Sequence, residues 1–351
     1  MKYIFHRPFF IRLMHWEYWS SKVVYAPLYP YWLWLSLRSG SLFFLTAANP
    51  RIRNGGFIME SKNDIYIQLP AELYPKTLYF ESGVSTSDIL KAINEYGITF
   101  PMIAKPDMGE RGLAVKKIFN KNELLQYTER MPIPFLLQEF IPYENEVGIF
   151  YYRLPGQTKG CITGIVNKEA VTVKGDGIST VAQLAKKNGR YLLQWEQIQR
   201  SNADKLELVL GQGEQLVLIP YGNHSRGSKF TNESARISEK LSETINRICM
   251  QIPEFYYGRL DIRFKDWATL EVGEELSIIE VNGSGSEPTH IYDPTNSIFF
   301  AWKEIIRHWD ILYNVSKENN KRGVPYITLK KGRQELSAFR KIDAQLSSYS
   351  W

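Results

Sequence analysis

Two short blocks in the last third of the chain constrain it most: Tyr257-Gly258-Arg259-Leu260-Asp261-Ile262-Arg263-Phe264 and Ile278-Ile279-Glu280-Val281-Asn282-Gly283. Both are apolar enough to be strands, and side chains two apart on a strand share a face. Arg259 therefore points with Asp261, and Glu280 with Asn282. Pairing the two strands gathers Asp261, Glu280 and Asn282 into one oxygen-rich cluster, which suits Mg²⁺ when phosphate oxygens complete its shell. Three such groups held against an apolar sheet without a cation are costly. The bland alternative is a polar surface face.

Two earlier features point toward a nucleotide. The strand candidate Phe100 to Lys105 ends in a lysine and is followed by Met108-Gly109-Glu110-Arg111-Gly112. Backbone N–H groups of such a loop can close on phosphate oxygens while Lys105 adds a point charge, although a plain hairpin turn has the same composition. Leu136 to Ile141 then carries Glu139, Phe140 and Ile141, with Glu146 seven residues after Glu139. Placed between two lobes, that stretch offers backbone groups to an adenine edge and a carboxylate to ribose hydroxyls; solvated acids are the alternative.

Around these blocks, short strands and helices alternate. Strands are expected at Lys76 to Phe80, Phe135 to Phe140 and Val147 to Arg153, and helices at Thr86 to Tyr96 and Asn122 to Arg130. Residues 201–220 read as strand, a turn at Gly211-Gln212-Gly213, and strand. A long helix is expected from Asn232 to Gln251, where Ile237, Leu241, Ile245 and Ile248 recur at helical spacing. Strands at Gly258 to Phe264 and Leu276 to Asn282, separated by a loop, complete an α+β pattern.

The first sixty residues differ from the rest. They hold seven Lys or Arg against Glu17 and Glu60, with runs such as His15-Trp16-Glu17-Tyr18-Trp19 and Tyr29-Pro30-Tyr31-Trp32-Leu33-Trp34. The most apolar stretch, Tyr31 to Ala48, is broken by Arg38-Ser39-Gly40, which argues against a spanning helix. Aromatic and basic residues together suit a membrane surface; an aromatic lobe covering the ligand site is the competing reading. The turn Arg53-Asn54-Gly55-Gly56 is expected to end this lobe. No basic cluster or motif for nucleic acid accompanies the aromatics. With only Cys161 and Cys249, a disulfide framework and a zinc site are not expected, and a reducing cytoplasm, with or without membrane association, fits the composition.

The ordered blocks IAKPDMGERG, QEFIPYENE, YYGRLDIRF and IIEVNGSGSEP resemble the ATP-grasp superfamily, the last two being similar to those of D-alanine–D-alanine ligases. VKGDGISTVAQL with PYGNHSRGSKF is similar to the corresponding part of cyanophycin synthetases. The resemblance covers about residues 60 to 295. It implies an ATP-grasp fold, two α+β lobes gripping ATP, and an ATP- and Mg²⁺-dependent carbon–nitrogen ligase that activates a carboxylate as an acyl phosphate and joins it to an amine. Lys62, Lys105 and the loop Gly109, Glu110, Arg111, Gly112 would meet the phosphates. Glu139, Phe140 and Ile141 would form the adenine hinge, Glu146 would hold the ribose, and Asp261, Glu280 and Asn282 would hold Mg²⁺. Arg259 would stabilise the oxyanion formed when the amine attacks.

Substrate contacts are expected from His224, Arg226 and Lys229 and from Ser284 and Ser286, with His290 as either a proton shuttle or a structural histidine. The expected division is residues 1–60, a first lobe 61–155, a second lobe 156–315 and a tail 316–351. The short front departs from D-alanine–D-alanine ligases, which carry a larger N-terminal lobe, so dipeptide synthesis from D-alanine is not expected; small-molecule carboxylate and amine substrates are, and the aromatic front suggests that the substrate is amphiphilic. A phosphotransferase on a hydroxyl and a non-catalytic nucleotide-binding protein at a membrane surface are the alternatives.

Overall fold

The computed structural model describes residues 8–219, 222, 224 and 227–348. It opens with three helices, α1 (Pro8–Met14), α2 (Ser21–Tyr25) and α3 (Tyr29–Ser39), the last closed by Gly40 in the left-handed conformation. A short helix, α4 (Lys62–Tyr66), follows, capped where Ser61 accepts from the Asp64 N–H.

The first sheet is antiparallel and takes its strands in the order β1-β4-β2-β3. These are β1 (Thr77–Phe80), β2 (Met102–Pro106), β3 (Lys116–Ile118) and β4 (Phe135–Glu139). Helices α5 (Thr86–Tyr96) and α6 (Lys121–Arg130) pack Ile89, Ile93, Leu124 and Tyr127 against it. Each starts at a residue whose short polar side chain accepts an otherwise orphaned N–H, Ser85 and Asn120.

Residues 140–144 cross to a second antiparallel sheet. It contains β5 (Asn145–Tyr152) and β6 (Cys161–Glu169). A side hairpin, β7 (Val171–Lys174) with β8 (Gln215–Ile219), encloses α7 (Val181–Lys186), α8 (Gly189–Leu192) and α9 (Trp195–Ser201). Then come β9 (Lys229–Asn232), α10 (Glu239–Met250), β10 (Tyr257–Phe264), α11 (Trp267–Val272) and β11 (Leu276–Asn282). The order is β11-β10-β5-β6-β9. Leu241, Ile245 and Ile248 of α10 are buried against Ile149, Ile165 and Ile262 of the sheet, each contributing roughly 1.5–3 kcal/mol of apolar transfer.

Several expectations need correction. The helix expected from Asn232 starts at Glu239, because Asn232 still pairs with Val166 in the sheet and Ser238 supplies the cap. The strand expected before Gly211 is absent; Val209 forms only an isolated bridge with Thr180, and Leu208 and Val209 are exposed. The loop expected between β10 and β11 contains α11, started by the capping box of Asp266 and Thr269.

The division of the chain also differs. β5, assigned to the first lobe, pairs with β10 and β6 of the second, so the change of sheet falls at the hinge and not at residue 155. The expected tail begins inside α12 (Ile298–Lys321), and α13 (Leu329–Ser348) carries Leu346 into the first sheet's core.

Residues 8–60 are no detached lobe. Leu35, Phe44 and Leu45 pack with Leu312, Tyr313 and Val315 of α12. Asn49 donates to the carbonyls of Gly55 (2.9 Å) and Tyr257 (2.8 Å) and accepts from the N–H groups of Tyr256 and Tyr257. Three of these four bonds stitch the segment to the start of β10, and the fourth holds its own turn at Gly55.

Candidate functional site

The strand pairing expected from the two blocks is present: Asp261 lies opposite Glu280 and Arg259 opposite Asn282. The register then slips by one residue, since Ile262 pairs with Ile278, and Ile279 is left as a bulge. A bulge frees backbone groups from the ladder. Here the Ile279 carbonyl turns across the cleft and accepts from Lys105 Nζ (3.0 Å) on β2 and from the Tyr66 hydroxyl on α4.

Lys105 is 6% exposed and also donates to Gln138 Oε1 and the Tyr66 oxygen, both at 2.8 Å. Burial lowers its pKa to about 8, although Glu280 and Asp107 favour the charge. Lys62 Nζ donates to the Gly109 carbonyl (2.8 Å) and stands 4.0 Å from Glu280 Oε1. The loop needs its glycines: Gly109 and Gly112 have φ of 146° and 66°, and a Cβ on Gly109 would meet Leu346 of α13 at 2.9 Å. Lys105 from the first sheet and Lys62 from α4 thus both reach the carboxylate strand of the second.

Asp261, 2% exposed, is not an isolated acid. Arg259 Nε binds Oδ1 at 2.8 Å, and Lys168 Nζ binds Oδ2 at 2.9 Å. Burial works to raise its pKa, but the two cations outweigh burial and hold it at about 2. The argument that a buried cluster here demands a metal is therefore corrected, because the chain supplies its own counter-ions. Lys168 also binds Glu146 Oε1 (3.1 Å), and Arg263 reaches Glu146 Oε2 (3.4 Å). Burial opposes the charge on Lys168, yet Asp261 and Glu146 keep its pKa above the ordinary value.

The donor set still fits a divalent cation. Asn282 Nδ2 is buried without a hydrogen-bond partner, beside the two carboxylates on the strand pair. An orphaned buried amide is expensive, and which of its two ends carries oxygen is a matter of assignment. Among the described residues no three His, Cys, Asp or Glu side chains gather at one point. A cation here would take Asp261, Glu280 and the Asn282 amide and draw its remaining oxygens from elsewhere, as Mg²⁺ at phosphates does.

Residues 139–141 lie where the chain changes sheets, but their groups are engaged. Glu139 accepts weakly from the Lys76 N–H (3.4 Å), Lys117 Nζ lies 3.4 Å from the centre of the Phe140 ring, and the Ile141 carbonyl accepts from Arg263 (3.4 Å). Glu110 and Arg111 lie exposed on the phosphate loop.

The residues expected to contact substrate fall in different surroundings. Ser284 is buried with an unpartnered hydroxyl, while Ser286 donates to the Gly283 carbonyl (2.6 Å) and closes its own turn. His224 is held by Glu17 (3.2 Å) and stacks on Tyr18 and Tyr292, so its ring is used in packing the N-terminal segment. Lys229 is directed to an exposed pair with Glu169 (3.1 Å) at the sheet edge. Arg226 lies outside the described residues. His290 is buried against Glu304 (3.2 Å), with Gly164 beneath its ring, a structural placement.

Sequence reasoning missed three contributors. Lys168 reads as an ordinary charge near the end of a strand. Glu60 carries a pKa raised to about 8 by burial, with Lys62 opposing and Glu280 adding to the rise, and it accepts from the Gly283 N–H (3.4 Å). The third is the Gly55-Gly56 turn, which does not end a lobe. Ser284 and Gly285 donate to the carbonyls of Gly55 and Gly56 (3.0 and 2.7 Å), and a Cβ on Gly56 would lie 2.5 Å from the Gly283 Cα. Tyr25 adds a hydroxyl to Glu287 (2.5 Å). The N-terminal segment therefore packs on the loop after the carboxylate strand.

No protein-family model and no curated protein matches this chain. Among solved structures it is similar to a bifunctional glutathione synthetase from Pasteurella multocida, at 15% identity and TM-score 0.39 over 73% of this chain and 38% of that one. It is likewise similar to the VanG D-Ala:D-Ser ligase from Enterococcus faecalis, at 15% and 0.40 over 72% and 61%. A D-alanine–D-alanine ligase from Bacillus anthracis gives 15% and 0.41 over 75% and 68%. The chain spans well under half of the first of these proteins and about three-fifths of the second. Similarity of this size leaves the chemistry of the site to its own residues.

Proposed function

We propose that the chain is an ATP-grasp ligase that uses ATP and Mg²⁺ to activate a carboxylate as an acyl phosphate and couples it to an amine, releasing ADP and phosphate. The observation that carries this reading is the convergence of Lys62 from α4 and Lys105 from the first sheet on Asp261, Glu280 and Asn282 of the second. Cationic and oxygen-rich groups meeting across a cleft suit a polyphosphate with its metal.

In this reading Lys62, Lys105 and the loop from Gly109 to Gly112 neutralise the phosphates, and residues 139–141 bound the adenine. Glu146 turns to the ribose hydroxyls once Lys168 and Arg263 release it. Asp261, Glu280 and Asn282 would hold Mg²⁺, which neutralises charge on the transferring phosphoryl group when bound. Positioning and charge neutralisation do most of the work, since phosphoryl transfer asks little covalent chemistry of the protein. The γ-phosphoryl passes to a carboxylate oxygen and ADP departs. An amine then attacks the carbonyl carbon, Arg259 stabilises the oxyanion, and phosphate leaves as the amide forms. Ser284, with its free hydroxyl beside this centre, is assigned to the acceptor substrate.

Hydroxylamine trapping tests the proposal. With ATP, Mg²⁺ and a panel of amino acids and acyl amino acids, ADP release accompanied by a hydroxamate supports an acyl phosphate. ADP release with phosphate transferred to a hydroxyl and no hydroxamate identifies a phosphotransferase instead.

A further inference from the structure

Among the described residues, ten of the twenty-two exposed large apolar side chains lie between Phe9 and Leu42. Such a concentration marks an interaction surface more than chance exposure. The tryptophans of the segment divide in two. Trp16 donates to the Asn296 carbonyl and stacks on Tyr292, and Trp32 packs on Phe44 and Trp309, so both serve the interior. Trp34 faces outward on α3 with Leu33 and Leu37, whose exposures are 46%, 52% and 82%.

The spacing makes this a continuous face. Tyr29, Leu33 and Leu37 recur every four residues, as do Trp34 and Arg38, while Leu35 and Ser36 point inward. Arg38 lies over the Trp34 ring at 4.5 Å, a cation at the edge of the apolar stripe.

Charge identifies what this face would meet. Between residues 8 and 59 the sole acid is Glu17, and it is buried against Arg190 (2.8 Å). Arg51 and Arg53 are taken up by Glu254 and Glu335, but Arg12, Lys22 and Arg38 are exposed and form no ion pair among the described residues. An outward face of Leu and Trp edged by basic residues, with the neighbouring carboxylate of Asp310 on α12 taken up by the Tyr31 hydroxyl, is the chemistry of a helix lying in a phospholipid interface. No helix among the described residues is long and apolar enough to cross a bilayer. We propose that α3 docks flat on an anionic phospholipid bilayer through Leu33, Trp34 and Leu37, with Arg12, Lys22 and Arg38 drawn to the headgroups. The proposal is independent of the reaction assigned above.

Co-sedimentation with vesicles of phosphatidylcholine, with and without phosphatidylserine, tests it. The full chain is expected to pellet with the phosphatidylserine vesicles and to be released in molar salt, where the screening length falls to about 3 Å. Leu33→Ser with Leu37→Ser should weaken partitioning by about tenfold or more. Arg12→Glu with Lys22→Glu, which alters no apolar contact, should abolish the preference for phosphatidylserine and serves even if the serine variant folds poorly. Failure of the chain to bind either vesicle, or binding unchanged in both double variants, overturns the proposal. So does light scattering that shows a dimer which Leu33→Ser with Leu37→Ser converts to monomer, since the face would then be a contact between copies.

Discussion

Two ionic clusters of similar composition sit on the same face of the second sheet, one over Gly164 and one over Gly148, and lead different lives. In one, Glu304 is gripped by Arg307 (2.5 Å) and His290 (3.2 Å), and Arg307 continues to the Thr163 carbonyl (2.8 Å). Every charge there ends on a partner within the same packed wall. In the other, Asp261 and Glu146 are bridged by Lys168 and flanked by Arg259 and Arg263, but the cluster borders the unpartnered Asn282 amide and Ser284 hydroxyl and faces Lys62 of α4 and Lys105 of the other sheet. Composition alone does not mark a site. Orphaned atoms do not separate the two, since His308 Nε2 and Thr289 Oγ1 beside the first cluster also lack a partner; what separates them is that the second cluster faces the cations Lys62 and Lys105 across from its carboxylates.

The comparison breaks most readily at the carboxylates. Glu280→Gln should lower turnover by about a thousandfold or more, with stability little changed because its side chain is a third exposed. Asp261→Asn should lose turnover and also stability, by about 3–5 kcal/mol, since Arg259 and Lys168 would be left as buried cations without their acid. Glu304→Gln should leave the turnover of folded protein unchanged. Full activity in Glu280→Gln would place the reaction elsewhere.

Acid titration sharpens the contrast. Burial works to raise the Glu304 pKa, but hydrogen bonds from His290 and Arg307 and their charge hold it at about 2, against about 4.3 in an unfolded chain. A depressed carboxylate contributes stability that is fully present above its unfolded value and is lost as pH falls toward the folded one. Ligand-free protein should therefore lose about 1–2 kcal/mol between about pH 5 and pH 2 from this group, less than the full shift because the partly exposed Arg307 is screened by solvent. Urea melts of Glu304→Gln should show a correspondingly flatter acid limb; an unaltered limb would remove Glu304 from the account. The smallest effect is expected at Lys229→Ala, where an exposed pair with Glu169 is removed. Stability should change by about 0.5 kcal/mol or less, and KM for every substrate should stay the same. A raised KM would return Lys229 to the site.

The strand pair was legible because strand geometry is strict: charged residues two apart in apolar runs leave Arg259, Asp261, Glu280 and Asn282 only one shared face. Helix starts were legible for the same reason, since Ser85 satisfies local N–H groups whatever the tertiary fold. Contacts over long sequence distance left no such mark. Lys168 looks like any lysine late in a strand until β6 is placed beside β5 and β10, and the Gly55-Gly56 turn reads as a lobe boundary until Gly283 is brought against it. Polar loops misled in the opposite direction. His224 and Lys229 share a glycine-punctuated stretch that suggests ligand contact, yet one is used by the aromatic front and the other by the sheet edge.

Manganese binding followed by electron paramagnetic resonance, in the presence of a non-hydrolysable ATP analogue, tests the central claim most directly. The signal of free Mn²⁺ should fall as wild-type protein is added with the nucleotide, and Glu280→Gln should leave it largely intact. A free-ion signal that wild type does not diminish, or that both proteins diminish equally, would contradict a cation held between Asp261, Glu280 and Asn282.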